Sequence, residues 1–190
     1  IIHVMLIFLP LASISFSTLV VANIASLYGP QGTLKVMVNS YESIYNAAQI
    51  QQYATAANAD ESRWLIAVTF NDQDQIDRWQ QDWYHNRDKT NNLIQQAQAK
   101  RTWPEEDQSL ATIQPHWKNY TDIDPQIRAK ARNTAISLFA RIKDAQVLSL
   151  GDSNDNFFTF SNAVDLLSRI NRNHFQSVYD NAHGFLTVDI

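Results

Sequence analysis

The chain has 190 residues, enough for one good-sized domain with its own core. Its net charge is −4 and its 15 basic residues form no block, which argues against nucleic-acid binding. The absence of cysteine excludes disulfides, thiolate metal sites and cysteine nucleophiles, and the 4 glycines and 5 prolines are too few for a turn-rich sandwich or barrel.

The N-terminal segment predicts a membrane span. No Asp, Glu, Lys or Arg occurs in residues 1–31, and the segment 1–28 exceeds the roughly 20 residues that a transmembrane helix needs. A secretory signal peptide with a cleavage site within 15–25, or a buried core helix, is the alternative interpretation. Lys35 is the first charged residue after this segment, and such scarcity of positive charge favours an extracytoplasmic location for the residues that follow.

Two long helices are predicted next. The first, over about 31–70, has two capping signals near its end, residues 58–60 and Asn71-Asp72, and we favour the second because the apolar stripe continues between them. The next helix, over 72–101, places its inner positions at alternating intervals of three and four, as in an antiparallel bundle. Those positions are Ile76, Trp79, Trp83, Asn86, Thr90, Leu93 and Ala97.

The remaining chain predicts a broken connection and two further helices. Asp124-Pro125 marks a helix start, and Gly151 a left-handed stop followed by a cap at Asp152 or Ser153. The predicted elements are a short helix over 104–118, a break over 119–124, a helix over 125–150 and a last helix over 153–187.

These elements predict an all-α fold. Residues 31–188 form an up-down-up-down four-helix bundle of long helices with a broken connection between the second and third, continuous with or following the transmembrane helix. In this arrangement the 102–124 connection lies near the membrane. Its aromatic residues Trp103, Trp117 and Tyr120 either lie at the bilayer interface or pack over the end of the bundle.

The stretch Arg63–Asp72 is similar to the Arg…Leu…Thr-Gly-Asp end of the first helix in one group of sensor proteins, with Phe70-Asn71 in place of Thr-Gly. With the uncharged N-terminal span, the whole layout resembles the extracytoplasmic four-helix-bundle sensor domains of bacterial transmembrane receptors, namely methyl-accepting chemotaxis proteins and sensor histidine kinases. The resemblance implies a homodimer through the long helices, on the extracytoplasmic side of the bacterial inner membrane, that passes helix shifts across the membrane.

Catalytic and metal chemistry have little support in the sequence. The chain has no Glu-x-x-His and no pair of histidines four residues apart, so we predict no metal, no cofactor and no enzyme activity. A small anionic or amino-acid ligand would instead need an arginine beside aromatic side chains. The candidates for such a site are Arg63, Trp64, Arg78, Trp79, Trp83 and Arg87.

The same residues have a purely structural interpretation. Trp79 and Trp83 lie on the inner face of their helix and are typical of core, while Arg78 and Arg87 are typical of surface ion pairs. The predicted function is a membrane-anchored, non-catalytic input domain whose partners are lipid, a second copy, and a small ligand or a partner protein. The alternative is an accessory helical subunit that docks onto a larger membrane complex.

Overall fold

The computed structural model describes residues 32–186, and the predicted span over 1–28 lies outside them. All regular structure in the described part is helical, which confirms the all-α class. Within residues 32–186, no helix combines the length and the apolar character that a membrane crossing requires. The helices are α1 Thr33–Phe70, α2 Gln73–Ala99, α3 Glu106–Ala131, α4 Leu138–Leu148 and α5 Asn154–Leu186, with a wide turn Ser149–Ser153 between the last two.

The first helix ends at the second of its two capping signals, as favoured from the sequence. Asn71 takes the left-handed conformation with φ 54°, which asparagine tolerates better than most residues. The Asp72 side chain then accepts a hydrogen bond from the backbone N–H of Gln75 at 3.1 Å and caps α2. Residues 58–60 lie inside α1, because the buried stripe runs through them from Ala57 to Trp64.

The predicted break over 119–124 and the separate helices over 104–118 and 125–150 are wrong. One helix, α3, runs through this region and contains both Pro115 and Pro125. Each proline removes a backbone hydrogen bond. The helix persists because its inner face is buried along its whole length, so tertiary packing overrides local preference. That face carries Leu110, Ile113, Trp117, Tyr120, Ile127 and Ala131.

The chain breaks instead at residues 132–137, which are exposed. Ser137 caps α4 by accepting a hydrogen bond from the backbone N–H of Ala140 at 3.3 Å. The predicted left-handed stop at Gly151 is also wrong, since its φ is −96° and its ψ −108°. Gly151 instead kinks the wide turn, and the helix resumes at Asn154 rather than at a cap on Asp152 or Ser153.

The described residues belong to two compact units. The larger spans Glu42–Arg172, and the smaller joins the residues up to Tyr41 to those from Asn173 onward. In the smaller unit the Gln176 amide donates to the Asp180 carboxylate at 2.7 Å. All further contacts described below lie within the larger unit.

The larger unit has two apolar clusters. In the first, Trp117 stacks on Tyr120 with ring centroids 5.2 Å apart and lies 5.0 Å from Phe160. Trp117 and Tyr120 are therefore core residues, and neither is at a surface where a bilayer could reach it. The second cluster surrounds the fully buried Trp64. On α2 the predicted inner positions are all buried or half-buried.

Candidate functional site

Three of the predicted site residues form an exposed stack. The guanidinium carbon of Arg63 lies 4.8 Å from the ring centroid of Trp79, and that of Arg78 lies 4.7 Å from it. Arg63 also contacts the carboxylate of Asp60 at 3.1 Å, and Arg78 that of Asp82 at 3.8 Å. Arg63 and Trp79 line an open surface groove with Ile66 and Phe70. Both arginines are mostly exposed and already paired, so solvent screens the charge that they offer to a ligand there.

The other three are Trp64, Trp83 and Arg87. Both tryptophans are fully buried. Arg87 bonds to the Asp88 carboxylate at 2.7 Å, and its guanidinium carbon lies 5.3 Å from the ring centroid of Trp83 and 4.9 Å from that of Tyr84. The structure therefore does not bring the six predicted residues together, and only the two buried tryptophans face a shared interior.

The cation in that interior is Arg128, which sequence reasoning missed. Its side chain is buried, with the residue 5% exposed, and its Nε donates to the Asp124 carboxylate at 2.7 Å. The guanidinium carbon lies 4.5 Å from the ring centroid of Trp64 and 5.3 Å from that of Trp83. Such cation–aromatic contacts are strongest where water is excluded, as here.

Helical spacing explains how these side chains meet. On α3, Tyr120, Asp124 and Arg128 recur every four residues and so share one face. On α1, Glu61 lies one turn before Trp64. Six side chains form this buried group, the Arg128 cluster: Glu61, Trp64, Trp83, Tyr120, Asp124 and Arg128.

Glu61 closes one side of the Arg128 cluster. It is 1% exposed, and its carboxylate accepts hydrogen bonds from the hydroxyls of Ser149 at 2.5 Å and Ser153 at 3.2 Å, on either side of the kink at Gly151. Burial raises the pKa of Glu61 to about 7, with the nearby Asp124 carboxylate adding to the effect. Burial likewise raises the pKa of Asp124, against the opposing influence of Arg128.

Several buried polar atoms of the Arg128 cluster have no hydrogen-bond partner. The donors among them outnumber the acceptors. The Tyr120 hydroxyl lies near Glu61 and Trp83 but makes no hydrogen bond of normal geometry. Burial raises the pKa of Tyr120 well above its usual value. Unpaired buried groups of this kind are uncommon and cost stability. The atoms are Nε1 of Trp64 and of Trp83, the Tyr120 hydroxyl, Nη1 and Nη2 of Arg128, and Oδ1 of Asp124.

This arrangement suits recognition of an acceptor-rich group more than it suits proton transfer to a substrate. Its charged centre is an arginine, which stays protonated, and its unpaired groups are mainly N–H and O–H donors. Among the residues that the structure describes, no group of three His, Asp or Glu side chains is placed to hold a metal ion.

Comparison with known proteins adds no relative: no protein-family model, no curated protein and no solved structure matches the chain.

The buried carboxyl group of Glu61 makes the free energy of unfolding depend on pH. A group whose folded-state pKa rises from 4.5 to about 7 binds a proton on folding, so the free energy of unfolding is highest at low pH and falls as pH rises across that interval. At about 1.4 kcal/mol per unit, the loss attributable to Glu61 is about 3 kcal/mol. Glu61→Gln should therefore raise the melting temperature at about pH 8 and change it little at about pH 5.

Glu42→Gln is the matched control, because Glu42 lies on the same helix but is exposed and paired with Lys100 at 3.2 Å. That variant should melt in parallel with the parent protein at every pH. If Glu61→Gln also melts in parallel with the parent, the buried carboxyl is not the titrating group.

Proposed function

We propose that the chain is the extracytoplasmic input domain of a bacterial membrane receptor, anchored in the inner membrane and without catalytic activity. The observation that carries this proposal is the course of α1. The helix runs without interruption from Thr33, five residues after the end of the uncharged segment 1–28, to Phe70, and it contributes Glu61 and Trp64 to the Arg128 cluster. A single helix thus leads from the proposed span to a buried polar site, which is the connection that an input domain requires.

The larger unit supports a four-helix bundle with up-down-up-down topology. Hydrogen bonds connect α1 to α2, α2 to α3, α3 to α5 and α5 back to α1, which closes a ring of four helices. Along each pair the residue numbers of the partners run in opposite directions, as antiparallel neighbours require. The pairs are Asp60–Asn86 and Glu42–Lys100, Asn91–Trp117 and Gln98–Gln114, Ser109–Ala163 and His116–Asn156, and Gln51–Ser161 with Glu61–Ser153.

The membrane anchor is tested with the full chain expressed in bacteria. We expect it to stay in the membrane pellet after carbonate extraction, and alkaline phosphatase fused after Ile190 to be active while a fluorescent protein at the same position is dark. Release by carbonate with an active phosphatase would show a cleaved signal peptide instead. A fluorescent cytoplasmic fusion would contradict the proposed orientation.

A homodimer through α1 is supported by the exposed face of its part in the smaller unit. Leu34, Val38 and Tyr41 are large, apolar and exposed, and their spacing of four and three places them on one stripe. Stripes of this kind on a long helix are buried by a second helix in coiled coils. We propose that the same stripe of a second copy covers this one, with lipid as the other partner of the anchored chain.

Because the chain has no cysteine, a single introduced cysteine reports on this contact without background. Tyr41→Cys in the full chain in membranes should form a disulfide-linked dimer on mild oxidation. Lys118→Cys, at an exposed position on α3, is the control and should remain monomeric. Equal cross-linking at the two positions, or none at either, would contradict the α1 dimer.

A second function, as an accessory subunit of a larger complex, is favoured by the exposed apolar side chains of α4 and of the wide turn that follows it. Phe139, Val147 and Leu150 are 80%, 64% and 75% exposed, a large apolar surface for so short a segment. A partner protein docked there would be lost on Phe139→Ser and Leu150→Ser substitution. An input domain that needs no such partner would keep its dimer and its melting temperature.

A further inference from the structure

We propose that the Arg128 cluster binds a small monocarboxylate, of the size of formate or acetate, through the guanidinium group of Arg128 and the indole N–H group of Trp64. As a statement of what the input domain senses, this rests on the function proposed above. The binding itself depends only on the side chains of the cluster.

One edge of the Arg128 guanidinium group donates a hydrogen bond, and the other has no hydrogen-bond partner. Its Nε donates to Asp124 at 2.7 Å, which fixes the plane of the group, while Nη1 and Nη2 are buried without a partner. Two parallel N–H groups of a guanidinium match the two oxygens of a carboxylate, and this bidentate pairing is stronger and more specific than a contact to a point charge. The free edge of Arg128 therefore predicts a planar, two-oxygen ligand.

The Trp64 indole supplies a further buried donor. Its ring centroid lies 4.5 Å from the guanidinium carbon of Arg128, and its Nε1 is buried without a partner. Leaving a buried N–H unpaired costs about 1–3 kcal/mol, so an acceptor at this position recovers stability.

Charge favours an anion over a cation. The Asp124 carboxylate interacts with Arg87 and Arg132 as well as with Arg128, so three arginines act on this part of the protein. Arg87 is itself paired with Asp88, so the cations that act on a ligand here are Arg128 and Arg132. The opposing groups are the Asp124 carboxylate and Glu61, whose pKa of about 7 leaves it only partly ionised at neutral pH, so the two arginines carry more charge than these carboxyl groups balance.

Burial sets the size of the ligand. No member of the Arg128 cluster is more than 5% exposed. A ligand held among these groups has to be enclosed with them, which excludes long chains and ligands with a second charged group that would need its own partner. Formate and acetate combine a single carboxylate with little further bulk.

The test measures thermal unfolding of the full 190-residue chain in detergent, at neutral pH and constant ionic strength, with sodium formate, acetate, chloride or phosphate. We expect a saturable rise in Tm with formate or acetate and none with chloride or phosphate. Trp64→Phe keeps an aromatic ring but removes the N–H, and it should raise the half-saturating concentration about tenfold. Trp79→Phe, the same change in the exposed stack, should leave it unchanged.

Arg128→Lys provides a second variant. It keeps the positive charge but removes the two parallel N–H groups that pair with a carboxylate, so it should abolish the preference for carboxylates over chloride. The proposal is overturned if chloride or phosphate raises Tm as much as acetate does, if Trp64→Phe and Trp79→Phe bind alike, or if no anion has an effect. None of these outcomes alters the carbonate-extraction and fusion results, which test the input-domain proposal separately.

Discussion

Arg128→Met should lower the free energy of unfolding by about 3–5 kcal/mol, the largest effect expected of a single charged residue here. The substitution keeps much of the side-chain volume but leaves the Asp124 carboxylate buried without its cation. It also removes the guanidinium from the rings of Trp64 and Trp83. Chemical denaturation followed by far-ultraviolet circular dichroism measures the loss.

Two further variants distinguish the stability loss of Arg128→Met from the loss expected on replacing an exposed arginine. Arg78→Met removes a guanidinium that also lies on a tryptophan ring but is 63% exposed, and we expect a change of at most about 1 kcal/mol. Asp124→Asn combined with Arg128→Met removes the uncompensated charge and should recover part of the loss. Equal effects of Arg128→Met and Arg78→Met would show that the buried pair has no special role.

Trp83→Ala should cost about 3–5 kcal/mol, as expected for a large core side chain whose space cannot be refilled. Trp83 is 1% exposed and packs in the same apolar cluster as Ile113, Trp117 and Phe160. Denaturant midpoints of the variant and the parent protein give the difference, provided that the slopes agree.

Trp79→Ala is the matched control, since Trp79 lies one turn earlier on α2. Both residues occupy inner positions in the sequence pattern, but Trp79 is only half-buried, between the guanidinium groups of Arg63 and Arg78. Its removal should cost about 1 kcal/mol, the contribution of exposed cation–aromatic contacts. A cost of Trp79→Ala as large as that of Trp83→Ala would place both residues in the core.

Local signals were sufficient to predict α1 and α2. Their apolar stripes are continuous, and the turn between them carries an Asn-Asp pair suited to a left-handed residue followed by a cap. The same rules gave the wrong result for α3, because Pro115 and Pro125 each look like a helix boundary when read without their neighbours. Packing of Trp117, Tyr120 and Ile127 outweighs both prolines, and packing is not visible in a local pattern.

Because Asp124 was predicted to begin a helix rather than to lie inside one, the buried pair of Asp124 and Arg128 in the candidate site was also missed. The sequence identified Trp64 and Trp83 as candidates, but Asp124 was assigned to a helix cap, so its pairing with Arg128 one turn later was not considered. Aromatic residues near an arginine in the sequence drew attention to Arg63, Arg78 and Arg87, which the structure places at or near the surface. Which arginine is buried depends on the contacts between helices.

The kink at Gly151 determines which helical segments can twist together. An uninterrupted helix resists twisting, so within the larger unit α1 is stiff from Glu42 to Phe70. Between α4 and α5 the backbone is non-helical at Gly151, so the regular helical geometry is interrupted there. Glu61 accepts hydrogen bonds from Ser149 and Ser153 on the two sides of that kink, so one carboxylate on α1 restrains both of the segments that the kink separates.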